Sequence, residues 1–531
     1  MVNRSAHEPR GNDPQFSRRS FLQYSGLAAA AVAGSSILAA CGGGDSGGSG
    51  GSGGGAQKSG GQLIHGATGG SSSDTLDAHI PTNAADIARC NNLYEPLFFF
   101  DDTYTIVPAV AESVEPSKDA MSWSVKLRQG VTFHNGKTVT PDDVVATIAR
   151  VADPKAPKNA GSLLSTIIDL HNTKADGKNG VVIALKKPLA ILDFLLAEYT
   201  FGVVPTDYDP TKPVGTGAFS YESFTPGKTS TFKKFADYWG DKAFVDSLVI
   251  QDFSDDQAKV NALLAGQIQT VDNLPYNLID SVKGQGGQIL QAETGAWLPF
   301  TMRVDAAPFS DVKVRQAMRL IADRQQMIDQ ALGGFGTLGN DLYAPFDDAY
   351  IGDQLPQRKQ DIAQAKSLLK SAGQDGLQVE LVTSDSISSG APASAALFQQ
   401  QAKAAGVDVK VTKNPDFYGK DYLQYTFAQD FWNTRTYIPQ AYASSMPTSP
   451  YNETHWNDPK YKQLVQSAFG ELNDAKRKQL VEDAQKIEYD SGGFIIWGFR
   501  KQVDAYGQNV QGLKPSKYLP LGNYKFQYVS V

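Results

Sequence analysis

Apolar positions from residue 62 onward recur at two spacings, near 3.6 and near 2, so helices are expected to alternate with strands. Thr140-Pro141-Asp142-Asp143 carries the marks of a helix start: a capping hydroxyl, a proline at the first helical position and an acid three residues after the cap. Val144, Val145, Ile148 and Val151 then follow at helical spacing. Asp311 predicts a second start, with Val314, Ala317, Met318 and Ile321 on one face. Asp361 predicts a third, with Ile362, Ala365, Leu368, Leu369 and Ala372 ahead of Gly373. Leu377-Gln378-Val379-Glu380-Leu381 and Val407-Asp408-Val409-Lys410-Val411 alternate as strands do, and residues 391–405 between them read as a helix. Such a unit implies a parallel pair of strands in an α/β lobe. Asp458-Pro459 opens another helix, and residues 474–489 form one more with Leu480, Val481, Ala484 and Ile487 on one side.

The first sixty residues follow a different pattern. Residues 27–40 are apolar apart from Gly34, Ser35 and Ser36. The run is too short to cross a bilayer core of ~30 Å, which takes about 20 residues, and reads as the apolar region of an export signal. Arg18 and Arg19 stand just before it in Ser17-Arg18-Arg19-Ser20-Phe21-Leu22-Gln23, which resembles a twin-arginine signal. Leu38-Ala39-Ala40-Cys41 closes the run and resembles the lipobox of bacterial lipoproteins, which implies cleavage before Cys41 and acylation of its thiol. Residues 42–61 are almost wholly Gly and Ser, a composition that behaves as a flexible coil reaching ~25 Å on average. The expectation is an exported protein anchored through Cys41 to the outer face of the cell membrane.

Length and charge narrow the function. At 531 residues the chain exceeds the ~250–300 residues over which one core grows, so two or three packed units are expected. A net charge of −7 with both signs interspersed offers no basic patch, which excludes a nucleic-acid partner. With Cys41 assigned to a lipid, Cys90 has no intramolecular partner and reads as a small buried apolar residue. The six histidines are scattered, so neither a transition-metal site nor a cofactor is expected. Two short matches suggest a rival from another class, an extracellular serine acyl hydrolase. Gly44-Asp45-Ser46-Gly47-Gly48 fits GxSxG but lies in the Gly/Ser linker, and Ser367-Leu368-Leu369-Lys370 fits SxxK without its companion motifs.

A series of blocks carries a wider resemblance. Tyr94-Glu95-Pro96-Leu97, Pro108-Ala109-Val110-Ala111-Glu112-Ser113 and Trp123-Ser124-Val125-Lys126-Leu127-Arg128-Gln129-Gly130-Val131-Thr132-Phe133-His134-Asn135-Gly136-Lys137 come first, then Asp142-Asp143-Val144. Val214-Gly215-Thr216-Gly217-Ala218-Phe219, Asp237-Tyr238-Trp239-Gly240, Pro308-Phe309, Val314-Arg315-Gln316-Ala317 and Asp323-Arg324 follow. In this order the chain resembles the family 5 extracellular solute-binding proteins, the peptide- and nickel-type substrate-binding lipoproteins of ABC importers. That resemblance implies a two-lobed α/β fold with an extra domain on the first lobe. Residues 62–93, 212–304 and 503–531 are assigned to lobe I, 94–211 to the extra domain and 305–502 to lobe II. Crossings are expected near Val304 and Val503, with residues 521–531 rejoining lobe I as a strand. The implied function is capture of a small organic solute by hinge closure and delivery to permease subunits, by a monomer and without covalent chemistry. An oligopeptide or nickel-chelate binder is the alternative.

Two departures from the family bear on the ligand. Peptide-binding members carry Trp-x-x-Asp where this chain has Trp432-Asn433-Thr434-Arg435, and commonly Asn where it has Arg303. Guanidinium groups in place of an acid and an amide favour an anionic solute. The other reading pairs them with Asp305, Asp430 or another acid. Trp432, Trp297, Tyr437, Phe417 and Tyr418 supply aromatic faces for stacking, each also a candidate core residue, and Asn433 and Thr434 complete the candidate site. His134 is expected to end a hairpin at Asn135-Gly136 rather than bind metal. Residues 452–456 read either as a mouth lining or as structure.

Overall fold

In the computed structural model, which describes residues 57–531 apart from 157 and 160, the chain folds around two main sheets. Arg18, Arg19, Cys41 and the GxSxG match at 44–48 lie outside the described residues. In the first sheet, strand Gln62–Thr68 runs parallel to Ser247–Phe253 on one side and to Thr270–Val271 on the other. Thr229–Lys234 and Phe219–Thr225 extend one edge, and Gly498–Tyr506 and Gln288–Trp297 extend the other. The second sheet runs Asp408–Lys413, Gln378–Thr383, Phe427–Gln429, Phe300–Met302 and Phe494–Ile495. Its first two strands are parallel and joined through helix Ala391–Ala404, the unit expected from the alternation. The fold is therefore two-lobed α/β.

The lobes are joined by two chain passes that lie side by side. Gln288–Trp297 pairs with Gly498–Tyr506 up to Trp297 and Phe499, and three residues later the chain is in the second sheet, where Phe300 pairs with Ile495. The switch falls at 298–299 and at 496–497, several residues before the positions expected near Val304 and Val503. Val503 sits inside a continuous strand, and Val304 lies beyond the end of Phe300–Met302.

Residues 521–531 return to the first lobe without forming a strand, a second correction. Leu521, Gly522, Asn523 and Tyr524 have φ of 51, 66, 62 and 56°, a left-handed turn costly for side-chain-bearing residues. Local hydrogen bonds hold it. The Leu521 amide donates to Asp504 Oδ2 at 2.9 Å, and Asn523 accepts from Ser516 Oγ and the Leu519 amide while donating to the Phe100 carbonyl. Leu521, Tyr524, Phe526 and Val529 fill the first-lobe core.

Between the first-lobe segments, Ala111–Pro116, Ser122–Leu127, Gly180–Ala184 and Lys174–Asp176 form a four-stranded antiparallel sheet. Helix Pro141–Val151 begins with the expected capping box between Thr140 and Asp143 and buries Val144, Ile148 and Val151. This smaller unit also reaches lobe II, since the Ala190 amide donates to the Phe469 carbonyl at 2.9 Å. Asp311, Asp361 and Asp458 cap the helices expected of them. In lobe II, Arg315 and Arg319 cap the C-terminal end of helix Asp474–Ser491, donating to the carbonyls of Ser491, Tyr489 and Gly492. Buried cations at that position answer the carbonyls a helix end leaves open.

Candidate functional site

Where the lobes meet, two adjoining cavities of about 450 and 260 Å³ share Asn273, Phe431, Asn433 and Arg500 among their walls. Lobe I contributes strand residues Thr294, Ala296, Arg500 and Gln502, and lobe II contributes Ser388, Phe431, Asn433, Thr434 and Arg435. The walls are polar and apolar in mixture, as a small-solute cleft requires.

Of the residues nominated from sequence, three reach this cleft. Asn433 lines both cavities, while Thr434 and Arg435 line the smaller one. Thr434 is fixed by accepting a hydrogen bond from the Gly295 amide at 2.9 Å, a contact between lobes. Arg435 is buried, donates from Nη1 to Gln440 Oε1 at 3.3 Å and lies 5.6 Å from the centroid of the Trp432 ring. The Trp432 face thus carries the charge of Arg435 instead of stacking on a solute.

The other six sit elsewhere, with Tyr418 donating its hydroxyl to Asp430 Oδ1 at 2.9 Å. Arg303 forms a two-pronged pair with Asp305, at 3.0 and 2.8 Å, and donates to the Gln424 carbonyl, so its charge is met within lobe II. The Arg303 guanidinium in turn holds the Asp305 carboxyl down at about 2. Trp297 and Trp432 are fully buried and stacked on each other at 6.0 Å, and Tyr343 also stacks on Trp297 at 5.7 Å. Tyr437 stacks on Tyr343 and donates to Glu488 Oε2 at 2.7 Å. Phe417 packs against Tyr425 in the lobe II core. Aromatic faces near the segment suggest stacking, yet the core around Trp297 and Trp432 mixes the same aromatic types with Val, Leu and Ile.

Sequence reasoning missed Arg500, Ser388, Phe431, Gln502, Tyr518 and Glu198, all of which line the cleft. The available signal was Phe499-Arg500-Lys501, cations immediately after the apolar run 494–497, and placing the crossing at Val503 hid it. Beneath the floor, Asp504 accepts from Gln502 Nε2 at 2.6 Å and from the Asn273 amide at 3.0 Å, and burial pushes its carboxyl up to about 7. It holds two cleft residues and the left-handed turn together.

His134 is the hydrogen-bonded hairpin residue expected. Its Nδ1 accepts from the Gly215 amide and its Nε2 donates to the Gly217 carbonyl, and burial lowers it to about 4. Residues 452–456 knit lobe II, with Asn452 bonded to Trp456 and His455 to Asp305. Among the described residues no cluster of three or more metal-ligating groups occurs, and no helix is long and apolar enough to cross a membrane. Ser367 and Lys370 are exposed on the outer face of helix Ile362–Ser371, away from both cavities.

The model for bacterial extracellular solute-binding proteins, family 5, matches residues 105–462, more than half of the chain. The chain belongs to that family. Members are the substrate-binding components of ABC importers and act outside the cytoplasm, and this chain is such a component. It is 24% identical over 467 residues to the glutathione-binding protein GsiB of Escherichia coli (strain K12), covering 83% of this chain and 90% of that one. The solved structure of AgaA with agropinic acid, from A. tumefaciens R10, aligns with a TM-score of 0.72 at 24% identity over 89% of this chain and 99% of that one. The ABC transporter substrate-binding protein CtaP of Listeria monocytogenes aligns at 0.78 and 22% identity, over 89% and 100%. These likenesses reinforce the two-lobed fold of this family member.

Proposed function

We propose that the chain is a lipid-anchored, monomeric binding protein that closes on a small organic solute bearing an anionic group and hands it to importer permease subunits. The reading rests on one observation, that Arg435 lies in a cleft whose walls come from both lobes, beside Asn433 and Thr434. A guanidinium in a site from which water is excluded favours carboxylate or phosphate over a neutral or cationic group. Glutathione and agropinic acid, named for relatives, are both carboxylic acids, which supports that sign of charge. A solute that touches both walls shifts the population from open to closed, and the closed shape is what a permease reads.

Export through Arg18 and Arg19, cleavage before Cys41 and acylation of its thiol form the membrane half of the proposal, with the Gly/Ser segment expected at 42–61 as the tether, its last residues Gly60 and Gly61 hydrogen-bonded to Phe244 and Asp246 of lobe I. Each buried methylene of an acyl chain contributes ~0.8 kcal/mol, so two chains retain the protein while its cleft stays mobile. The test is to purify the full chain, denature it and identify the released molecule by mass spectrometry. An organic acid is expected, and a neutral or cationic molecule overturns the charge assignment. Loss of membrane association in Cys41→Ser tests the anchor.

A further inference from the structure

We infer that Arg500, with Ser388 across the cleft, is the residue pair that receives a carboxylate of the solute; this deepens the anionic-solute reading above and rests on it. Arg500 belongs to strand Gly498–Tyr506 of lobe I, where it is paired with Ala296 and Gly336 on either side. Arg500 lines both cavities. Nη1 donates to the Ser388 hydroxyl on the loop ahead of helix Ala391–Ala404 in lobe II. Nε is sealed from solvent and has no hydrogen-bond partner among the described residues, nor does any described carboxylate form an ion pair with Arg500.

Arg500 is part-buried, and three buried arginines elsewhere are each answered within the fold. Arg89 has Asp86 and Asp252, Arg324 has Asp341, and Arg319 has a ring of helix-end carbonyls. A cation partly withdrawn from water and without an acid beside it is stabilised when an anion enters. Among cleft-lining acids, Asp256 is 3.2 Å from Lys259 and Glu198 accepts from Tyr518, so neither is turned to Arg500. The larger cavity also carries Lys501. One planar fork and one hydroxyl match the two oxygens of a carboxylate, whereas a phosphate calls for more donors than this wall provides.

Because Arg500 and Ser388 belong to different lobes and are hydrogen-bonded to each other, an acid that accepts from both strengthens a bridge between the lobes. Recognition of its charge and closure of the cleft are then one event.

The test is to dialyse the full chain against a mixture of di- and tripeptides and small carboxylic acids, each paired with its neutral amide, and read retained compounds by native mass spectrometry. Acids are expected to be held and their amides released. Arg500→Gln is expected to weaken the retained acids about tenfold or more, and Arg500→Lys to recover part of the loss. Ser388→Ala, a change on a loop that leaves the strand untouched, is expected to weaken them several-fold. Equal retention of acid and amide, or unchanged affinity in Arg500→Gln and Ser388→Ala, overturns the assignment and leaves the cleft a solute site. Retention of neither member of any pair overturns the anionic-solute reading as well.

Discussion

Trp297 and Trp432 exchange two backbone hydrogen bonds, each 2.9 Å, and their rings lie 6.0 Å apart and 20° from parallel. One tryptophan ends a first-lobe strand and the other lies in lobe II, so the pair is a joint between lobes. Trp432→Ala is expected to cost ~3–5 kcal/mol in urea unfolding, the cost of emptying a well-packed aromatic site. A variant that kept its unfolding midpoint and lost only solute affinity would return Trp432 to the pocket.

Arg303 and Arg435 separate cleanly by mutation. Arg303→Ala is expected to leave affinity for the co-purified solute within about twofold, because its guanidinium is already matched by Asp305, whereas Arg435→Gln is expected to lower affinity about tenfold. Isothermal titration of both variants with the identified solute decides it. Equal losses would contradict the placement of Arg303 outside the cleft.

Glu488 gives the stability a pH dependence. Burial raises its carboxyl to about 8 from an ordinary 4.5, while the Tyr437 hydroxyl donates to it at 2.7 Å. The folded protein therefore holds a proton that the unfolded chain releases. The contribution is full below about pH 4.5 and is lost as pH rises through about 8. Glu488→Gln keeps an acceptor for Tyr437 and removes the titration. Its melting temperature is expected to fall less than that of the parent between about pH 5 and about pH 8, as measured by calorimetry. Parallel curves would show that Glu488 is not the group responsible.

Gly215 and Gly217 answer to close approach. A methyl on Gly215 would lie 2.0 Å from the Leu93 carbonyl oxygen, and one on Gly217 would lie 2.3 Å from that of Asn92. Backbone cannot retreat as a flexible side chain can, so Gly215→Ala and Gly217→Ala are each expected to destabilise by ~1–3 kcal/mol or more in chemical denaturation. Full stability in either variant would show that the segment repacks freely.

The elements that sequence revealed are those whose signal is local. Thr140, Asp311, Asp361 and Asp458 cap their helices because a cap is a contact among neighbours, and the parallel pair at 378–413 followed from alternation alone. Helix Asp474–Ser491 shows the limit of that signal. Val481 and Ala484 face inward as the apolar stripe predicts, but Gln485 and Glu488 are buried beside them, bonded to Ile351, Ala349 and Tyr437. A polar residue is buried only by virtue of distant partners, which periodicity does not carry. The site suffered in the same way. Arg303 and Arg435 look alike in the chain, and only the position of Asp305 relative to the cleft tells them apart. Arg500 faces the cleft because strand pairing, which sequence order does not carry, sets the crossing at 496–497.

The twin passage between the sheets has a mechanical meaning. Two hydrogen-bonded strands side by side make a flat strap, pliant out of its plane and stiff within it. Opening and shutting are thereby confined to one swing, with sliding and twisting suppressed. The swing then pivots at residues 298–299 and 496–497, where the pairing passes from one sheet to the other.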